Sequence, residues 1–164
     1  MLKLNRTTEY GLMALSYIRG KASGELTSAR EIATNFDLPF EILAKTLQRL
    51  KEQGLITSTY GTRGGYVLSK DLTKINLLDF LRVMEGPVGV VSCVTTTSIP
   101  SEARNAENNC CEYSGSCSIR PIMSHLNDRM YEFMSRISLD ELTRVPLKSK
   151  TVPEFTAEYI GEEP

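Results

Sequence analysis

Apolar residues recur at helical spacing through most of this chain, and the breaks between the helical stretches fall at caps and turns. Tyr10, Met13, Ala14, Tyr17 and Ile18 stand at i, i+3, i+4, i+7 and i+8, one buried face of a helix over about residues 8–19. Thr7 or Thr8 is its expected cap, with Glu9 in the first turn. Ser28-x-x-Glu31 is a capping box that opens a second helix and buries Ala29, Ile32, Ala33 and Phe36. The stretch Phe36-Asp-Leu-Pro39 stops it, because the residue before a proline is pushed out of the α region, and Pro39 suits the first turn of a third helix. That helix buries Leu43, Leu47 and Leu50 and ends at Gly54. Leu55–Tyr60 and Tyr66–Leu68 are β-prone runs around Gly61-Thr-Arg-Gly-Gly65, which reads as a hairpin. A first helix, two short helices joined by a tight turn, and then a hairpin make a winged helix-turn-helix.

A fourth helix is expected over Leu77–Glu85, capped by Asn76 and stopped by Gly86-Pro87. Residues 88–118 have no convincing periodicity, and a loop of that length usually carries function or is disordered. Beyond it, Ile119, Ile122, Met123, Leu126, Met130, Phe133, Met134 and Ile137 form a stripe at steps of three and four, so wide a seam that the helix needs a partner. Ser138-Leu-Asp-Glu141 is a second capping box and opens a short last helix, and from Pro146 the chain is polar and acidic. The expected fold class is mainly α with a small β-hairpin. Its parts are a winged helix-turn-helix domain over 1–86, a cysteine-containing loop over 87–118, a dimerisation helix with a short terminal helix over 119–145, and a flexible tail over 146–164.

Composition changes this picture in two places. A chain of 164 residues, 41% hydrophobic, can bury a core without disulfide staples. No apolar run approaches the roughly 20 residues of a membrane span, and the polar N-terminus is unlike a secretion signal, so a cytoplasmic protein with no membrane partner is expected. The net charge of −1 hides an asymmetry: residues 1–70 carry +4 and the remainder −5. Only the first part is expected to meet a polyanion. All four cysteines, Cys93, Cys110, Cys111 and Cys117, lie within 25 residues, which in a reducing compartment reads first as a metal site.

With Leu43, Leu47 and Leu50 turned inward, Phe40, Glu41, Ala44, Lys45, Gln48 and Arg49 are left to face a major groove. The N-terminal members would reach base edges and the later ones phosphates; Tyr60 and Arg63 belong to the hairpin's contribution. A plain solvated helix face explains the same charges, but helix-turn-helix, hairpin and basic bias coincide within 70 residues. Among the cysteines, Cys111 and Cys117 enclose five residues containing Gly115 and two serines, a segment able to wrap both thiolates around one centre, with Cys93 as a third ligand. Thiolates suit iron–sulfur clusters, zinc or copper(I). Zinc more often takes ligand pairs two to four residues apart, and the only pair so close is the vicinal Cys110-Cys111. Buried or redox-sensing cysteines are the third reading. No nucleotide-binding glycine motif or Ser/His/Asp arrangement supports an enzyme acting on a small-molecule substrate.

Thr8-Glu-Tyr-Gly-Leu-Met-Ala-Leu15, the wing Gly61-Thr-Arg-Gly-Gly-Tyr-Val-Leu68 with Ser69-Lys70, Val83-Met-Glu-Gly-Pro87, and Cys111-x5-Cys117 before Arg120-Pro121 are the residues of a specific likeness. They resemble the winged-helix iron–sulfur transcriptional regulators of the IscR, NsrR and RirA type, with Cys111–Leu126 most like the subgroup that regulates the SUF cluster-assembly operon. The likeness covers residues 1 to about 143. It implies a homodimeric repressor or activator, not an enzyme, that binds a pseudo-palindromic double-stranded DNA operator under control of an iron–sulfur cluster. [4Fe–4S] is expected ahead of [2Fe–2S], and the signal is iron, cluster supply, redox state or nitric oxide. The resemblance carries Cys93, Cys111 and Cys117 over as ligands, with Cys110 as the rival for the middle place. Glu9 matches a fourth ligand that some members supply from the partner subunit, and it is equally well placed as a first-turn acid. Members resembling IscR have a histidine where this chain has Arg120; His125, the only histidine, reads as a surface or dimer-helix residue. The rival functions are a zinc-stapled DNA-binding protein without sensing and a small iron–sulfur electron carrier.

Overall fold

The computed structural model of the chain describes residues 4–22, 24–61, 64–90 and 116–145. Its first helix, α1 (Arg6–Arg19), begins two residues before the apolar spacing implies, because the cap is Asn5 and not Thr7 or Thr8. Asn5 Oδ1 accepts from the Thr8 N–H at 2.8 Å, while Thr8 itself is fully buried, its hydroxyl in reach of Asn5 Oδ1 and Glu85 Oε1. The second helix, α2 (Ala29–Phe36), opens at the capping box, with the Ser28 hydroxyl accepting from the Glu31 N–H at 3.1 Å. It closes at Asp37, which takes the left-handed conformation at φ 53° and donates its N–H to the Ala33 carbonyl; among non-glycine residues, Asp and Asn tolerate that region best. Pro39 is the N-cap of α3 (Phe40–Glu52), one step outside the first turn where the sequence puts it.

Leu43, Leu47 and Leu50 of α3 are wholly buried, and burying each such side chain contributes about 1.5–3 kcal/mol. Thr46 joins them without penalty, since its hydroxyl donates to the Ile42 carbonyl at 2.8 Å. The hairpin strands β1 (Ile56–Thr59) and β2 (Gly65–Leu68) pair antiparallel, with Ile56 opposite Leu68 and Thr59 opposite Gly65. A third segment joins them: Thr27 and Tyr66 exchange both backbone hydrogen bonds, at 3.0 and 2.8 Å. A Cβ on Gly65 would lie 2.8 Å from the Thr27 carbonyl oxygen, so only glycine lets the root of the wing come this close to the start of α2.

After a 3-10 turn at Leu72–Lys74, α4 (Leu77–Glu85) starts and stops as its sequence predicts, capped by Asn76 and ended at Gly86 with φ +86°. It crosses α1 at Gly11, where an added Cβ would press on Met84 Cε at 3.2 Å and Phe80 Cζ at 3.3 Å. The last two helices are α5 (Arg120–Arg136) and α6 (Leu139–Arg144), the latter capped by Ser138. This arm is knitted back into the first part of the chain: Leu77 N–H donates to Ile137 O and Leu139 N–H to Ile75 O, both at 2.8 Å. Met134 and Leu139 then enter the same core as Leu15, Ile32, Leu47 and Phe80. The architecture is a winged helix-turn-helix with a helical arm closing one side of its core.

Candidate nucleic-acid interface and cysteine segment

The turn at Asp37 and the buried leucines of α3 fix which side of that helix is left outside. Phe40 is 49% exposed, and Glu41, Lys45, Gln48 and Arg49 are exposed with it, as the apolar spacing requires. They are not equivalent. Gln48 donates to Glu52 Oε1 at 3.1 Å within the outward face, whereas Arg49 Nη2 donates to the Val83 carbonyl at 2.9 Å, across to α4. On the other flank, Lys51 reaches the wing: its ammonium lies 3.2 Å from the Tyr60 hydroxyl and 5.1 Å from the ring centre. That ammonium holds the Tyr60 phenol below its ordinary range, and the ring is 87% exposed, an aromatic plane presented beside a cation. Arg63 lies outside the described residues.

Between α3 and the wing runs a groove of about 540 Å³, lined by Ser28, Ala44, Gln48, Lys51, Thr59 and Tyr60 among others. The Ser28 and Thr59 hydroxyls, the Gln48 amide, the Lys51 ammonium and the nearby start of α2 make it suited to a sugar-phosphate backbone. The groove is the feature sequence reasoning did not find, because Ser28 and Thr59 meet only through the Thr27–Tyr66 pairing. The wide spacing of the two paired segments hides it.

The cysteine side divides between described and undescribed residues. Cys93, Cys110 and Cys111 lie outside the described residues. Cys117 is half-buried, a free thiol three residues before α5, and Glu9 is exposed in the first turn of α1. Among the described residues no three His, Cys, Asp or Glu side chains gather in a way that holds a metal. His125 is exposed on α5.

What the structure does bring together is the frame around this segment. Glu85, in the last turn of α4, accepts from the Asn5 N–H at 2.8 Å, from Asn5 Nδ2 at 2.7 Å and from the Thr8 hydroxyl. An acid is disfavoured at a helix C-terminus; here it faces the N-terminal end of α1, where it is favoured. The chain that follows is tied to α5, with the Tyr131 hydroxyl donating to the Val88 carbonyl and the Val90 N–H donating to Oδ1 of the buried Asn127 at 3.3 Å. At the far end of α1, Asp140 of α6 accepts from Arg19 at 2.7 Å, is paired also with Arg144, and is held below the usual carboxylate range first by Arg19. Glu85 had one signal in the sequence, an acid in a last helical turn just before Gly-Pro.

The long stripe of α5 resolves into two. Met130, Tyr131 and Met134 pack on the chain's own core, while Ile119, Ile122, Leu126 and Phe133 are 56, 62, 47 and 66% exposed. No helix among the described residues is long and apolar enough to cross a membrane.

A helix-turn-helix with a wing, an outward recognition helix and an adjoining groove that holds the Lys51 ammonium define a DNA-binding regulator of transcription. The chain belongs to the Rrf2 family, described as iron-dependent transcriptional regulators, whose pattern it matches over residues 4–145. It is a regulator and not an enzyme. It is 28% identical over 143 residues to protein rrf2 of Nitratidesulfovibrio vulgaris, covering 87% of this chain and 88% of that one. It is 24% identical, also over 143 residues, to the HTH-type transcriptional regulator NsrR of Bacillus subtilis, covering 87% and 91%. Among solved structures, CymR, the global cysteine regulator of B. subtilis, superposes with a TM-score of 0.63 at 26% identity, over 87% of this chain and 97% of that one. The expected fold class and family are both borne out.

Proposed function

We propose that this chain is a homodimeric regulator whose affinity for a pseudo-palindromic operator is set by an iron–sulfur cluster held on Cys93, Cys111 and Cys117, with Glu9 supplied by the partner subunit. The observation that carries the reading is the frame at the end of α4. Glu85 fixes the first turn of α1, where Glu9 is exposed and so open to a partner's site, and the chain continues from Glu85 into the cysteine-bearing segment. Three thiolates and a carboxylate are a donor set suited to a cluster, whose gain or loss supplies the signal. The chain's own residues do the transmission: a shift in residues 88–90 moves the last turn of α4, and with it the seating of α1 against the winged fold. For this to regulate, the two arrangements must differ in affinity both for the cluster and for DNA.

On DNA, Glu41, Phe40, Lys45 and Gln48 meet the major groove, and Tyr60, Arg63 and the groove floor take backbone and minor-groove contacts. The exposed apolar residues Ile122, Leu126 and Phe133 of α5, with Ile119 at its N-cap, support a twofold partner, which sets two recognition helices about one DNA turn apart. Anaerobic purification with visible spectroscopy and iron and sulfide analysis tests the cluster. A brown protein holding acid-labile sulfide is expected; a colourless one with stoichiometric zinc defeats the sensing reading and leaves a zinc-stapled DNA binder. Replacement of Cys93, Cys111 or Cys117 by Ser should remove the chromophore, and Cys110→Ser should keep it; the reverse moves the middle ligand to Cys110.

A further inference from the structure

We infer that Arg49 is a positioning residue: it sets the direction of the recognition helix by tying it to the last turn of α4, and it does not act as a phosphate contact. The inference rests on the DNA-binding role of α3 and deepens it. Arg49 and Lys45 are four residues apart, and on sequence alone both belong to the cationic face of one helix. Their surroundings differ. At about 100° per residue, Glu41, Lys45, Gln48 and Glu52 cluster around one direction, and Arg49 stands roughly 70° off it. The wing lies on the opposite flank, which Ala44, Gln48 and Lys51 line. Arg49 is therefore turned away from the groove side and toward α4.

There it finds an acceptor that needs it. The last four carbonyls of a helix have no partner within the helix, and they form the negative end of its dipole. Gly86 N–H satisfies the Arg82 carbonyl, and Arg49 Nη2 satisfies that of Val83 at 2.9 Å. Among the described residues this is the hydrogen bond that joins α3 to α4. A charged donor on such a carbonyl is stronger than a neutral pair and is held at a fixed place on each helix. The same turn of α4 holds Asn5 and Thr8 through Glu85, and it leads into the residues that α5 grips at Val88 and Val90. Arg49 thus refers the recognition helix to the one turn of the fold that also feels α1 and α5. With Arg49 so engaged, the salt-dependent grip on DNA falls to Lys45, Lys51 and the wing.

The test uses the full-length protein and two duplexes: one enriched from a random-sequence pool by the wild-type protein, and one unselected duplex of equal length. Kd is measured for both as a function of KCl concentration. Lys45→Ala, a phosphate-type change, is expected to lower the log–log salt slope by about 0.9 on both duplexes. Arg49→Ala is expected to leave the slope within about 0.3 of wild type. It should weaken the selected duplex about tenfold while leaving the unselected one nearly unchanged, because a misdirected helix loses base contacts and keeps its charge field. Arg49→Lys, whose ammonium can still reach one carbonyl, should restore most of the preference. A slope lowered by about 0.9 in Arg49→Ala, or equal weakening on both duplexes, would overturn the inference. If the wild-type protein enriches no sequence and binds neither duplex, the DNA-binding role itself fails, a result distinct from either.

Discussion

Two helices of this chain carry apolar stripes of the same kind and treat them in opposite ways. In α3 the stripe of Leu43, Leu47 and Leu50 is entirely inside the protein's own core. Along α5 Met130 and Met134 do this work, while Ile122, Leu126 and Phe133, with Ile119 just before the helix, stand in solvent. Spacing alone cannot separate the two cases, because periodicity says that a face is buried and not by what. The contrast assigns the helices different dependencies. α3 is covered by its own chain; the outer face of α5 is left uncovered among the described residues.

Substitutions can break each side of this contrast separately. The largest effect is expected from Leu47→Ala, which should cost about 2–5 kcal/mol of folding stability in urea denaturation, since the wholly buried site leaves a cavity. Its oligomeric state should not change below the unfolding transition. Next comes the double change Ile122→Glu with Leu126→Glu. It should leave the thermal midpoint of the folded subunit within a few degrees, turn a dimer into a monomer by sedimentation, and weaken operator binding by about a hundredfold through lost bivalency. A monomeric wild type, or a double variant that stays dimeric, would break the comparison at its weaker side.

The smallest effect concerns the clasp of α6 on α1. Asp140, with its carboxyl held low by Arg19, adds stability above the ordinary carboxylate pKa of about 3.9, and that contribution fades as pH falls through the lower folded value. Above about pH 5 Asp140→Asn should melt earlier than wild type, and below about pH 3 the two should converge. Melting curves across that range check the sign: a gap that widened on acidification would be contrary to it.

Local chemistry was readable in the sequence and distant chemistry was not. Ser28, Asn76 and Ser138 each cap the helix they precede, because a side chain and a backbone N–H three residues on are enough to decide it. Thr7 and Thr8 mask Asn5 as the cap of α1, since what occupies the Thr8 hydroxyl is Glu85, 77 residues away. Arg49 reads as a free cation for the same reason: its acceptor is a backbone carbonyl 34 residues on. Of the interface, the exposed set on α3 was legible from period alone, while the groove beside it depends on Thr27 meeting Tyr66. Of the cysteine segment, the clustering and spacing were legible and the frame at its near end was not, because Asn127 and Tyr131 carry no local pattern and the one mark of Glu85, an acid before Gly-Pro, does not name its partners.

The pairing of Ile75 and Leu77 with Ile137 and Leu139 has a consequence for how this protein is made. The winged half is translated first, but the core it shares with Met134 and Leu139 cannot close until some fifty further residues have left the ribosome, an interval of about 3–10 s at ordinary elongation rates. During that interval the nascent chain holds its recognition helix on an open core. The arm that carries the exposed apolar face is also the piece that completes the core behind the recognition helix, so a newly made subunit gains both at the same moment.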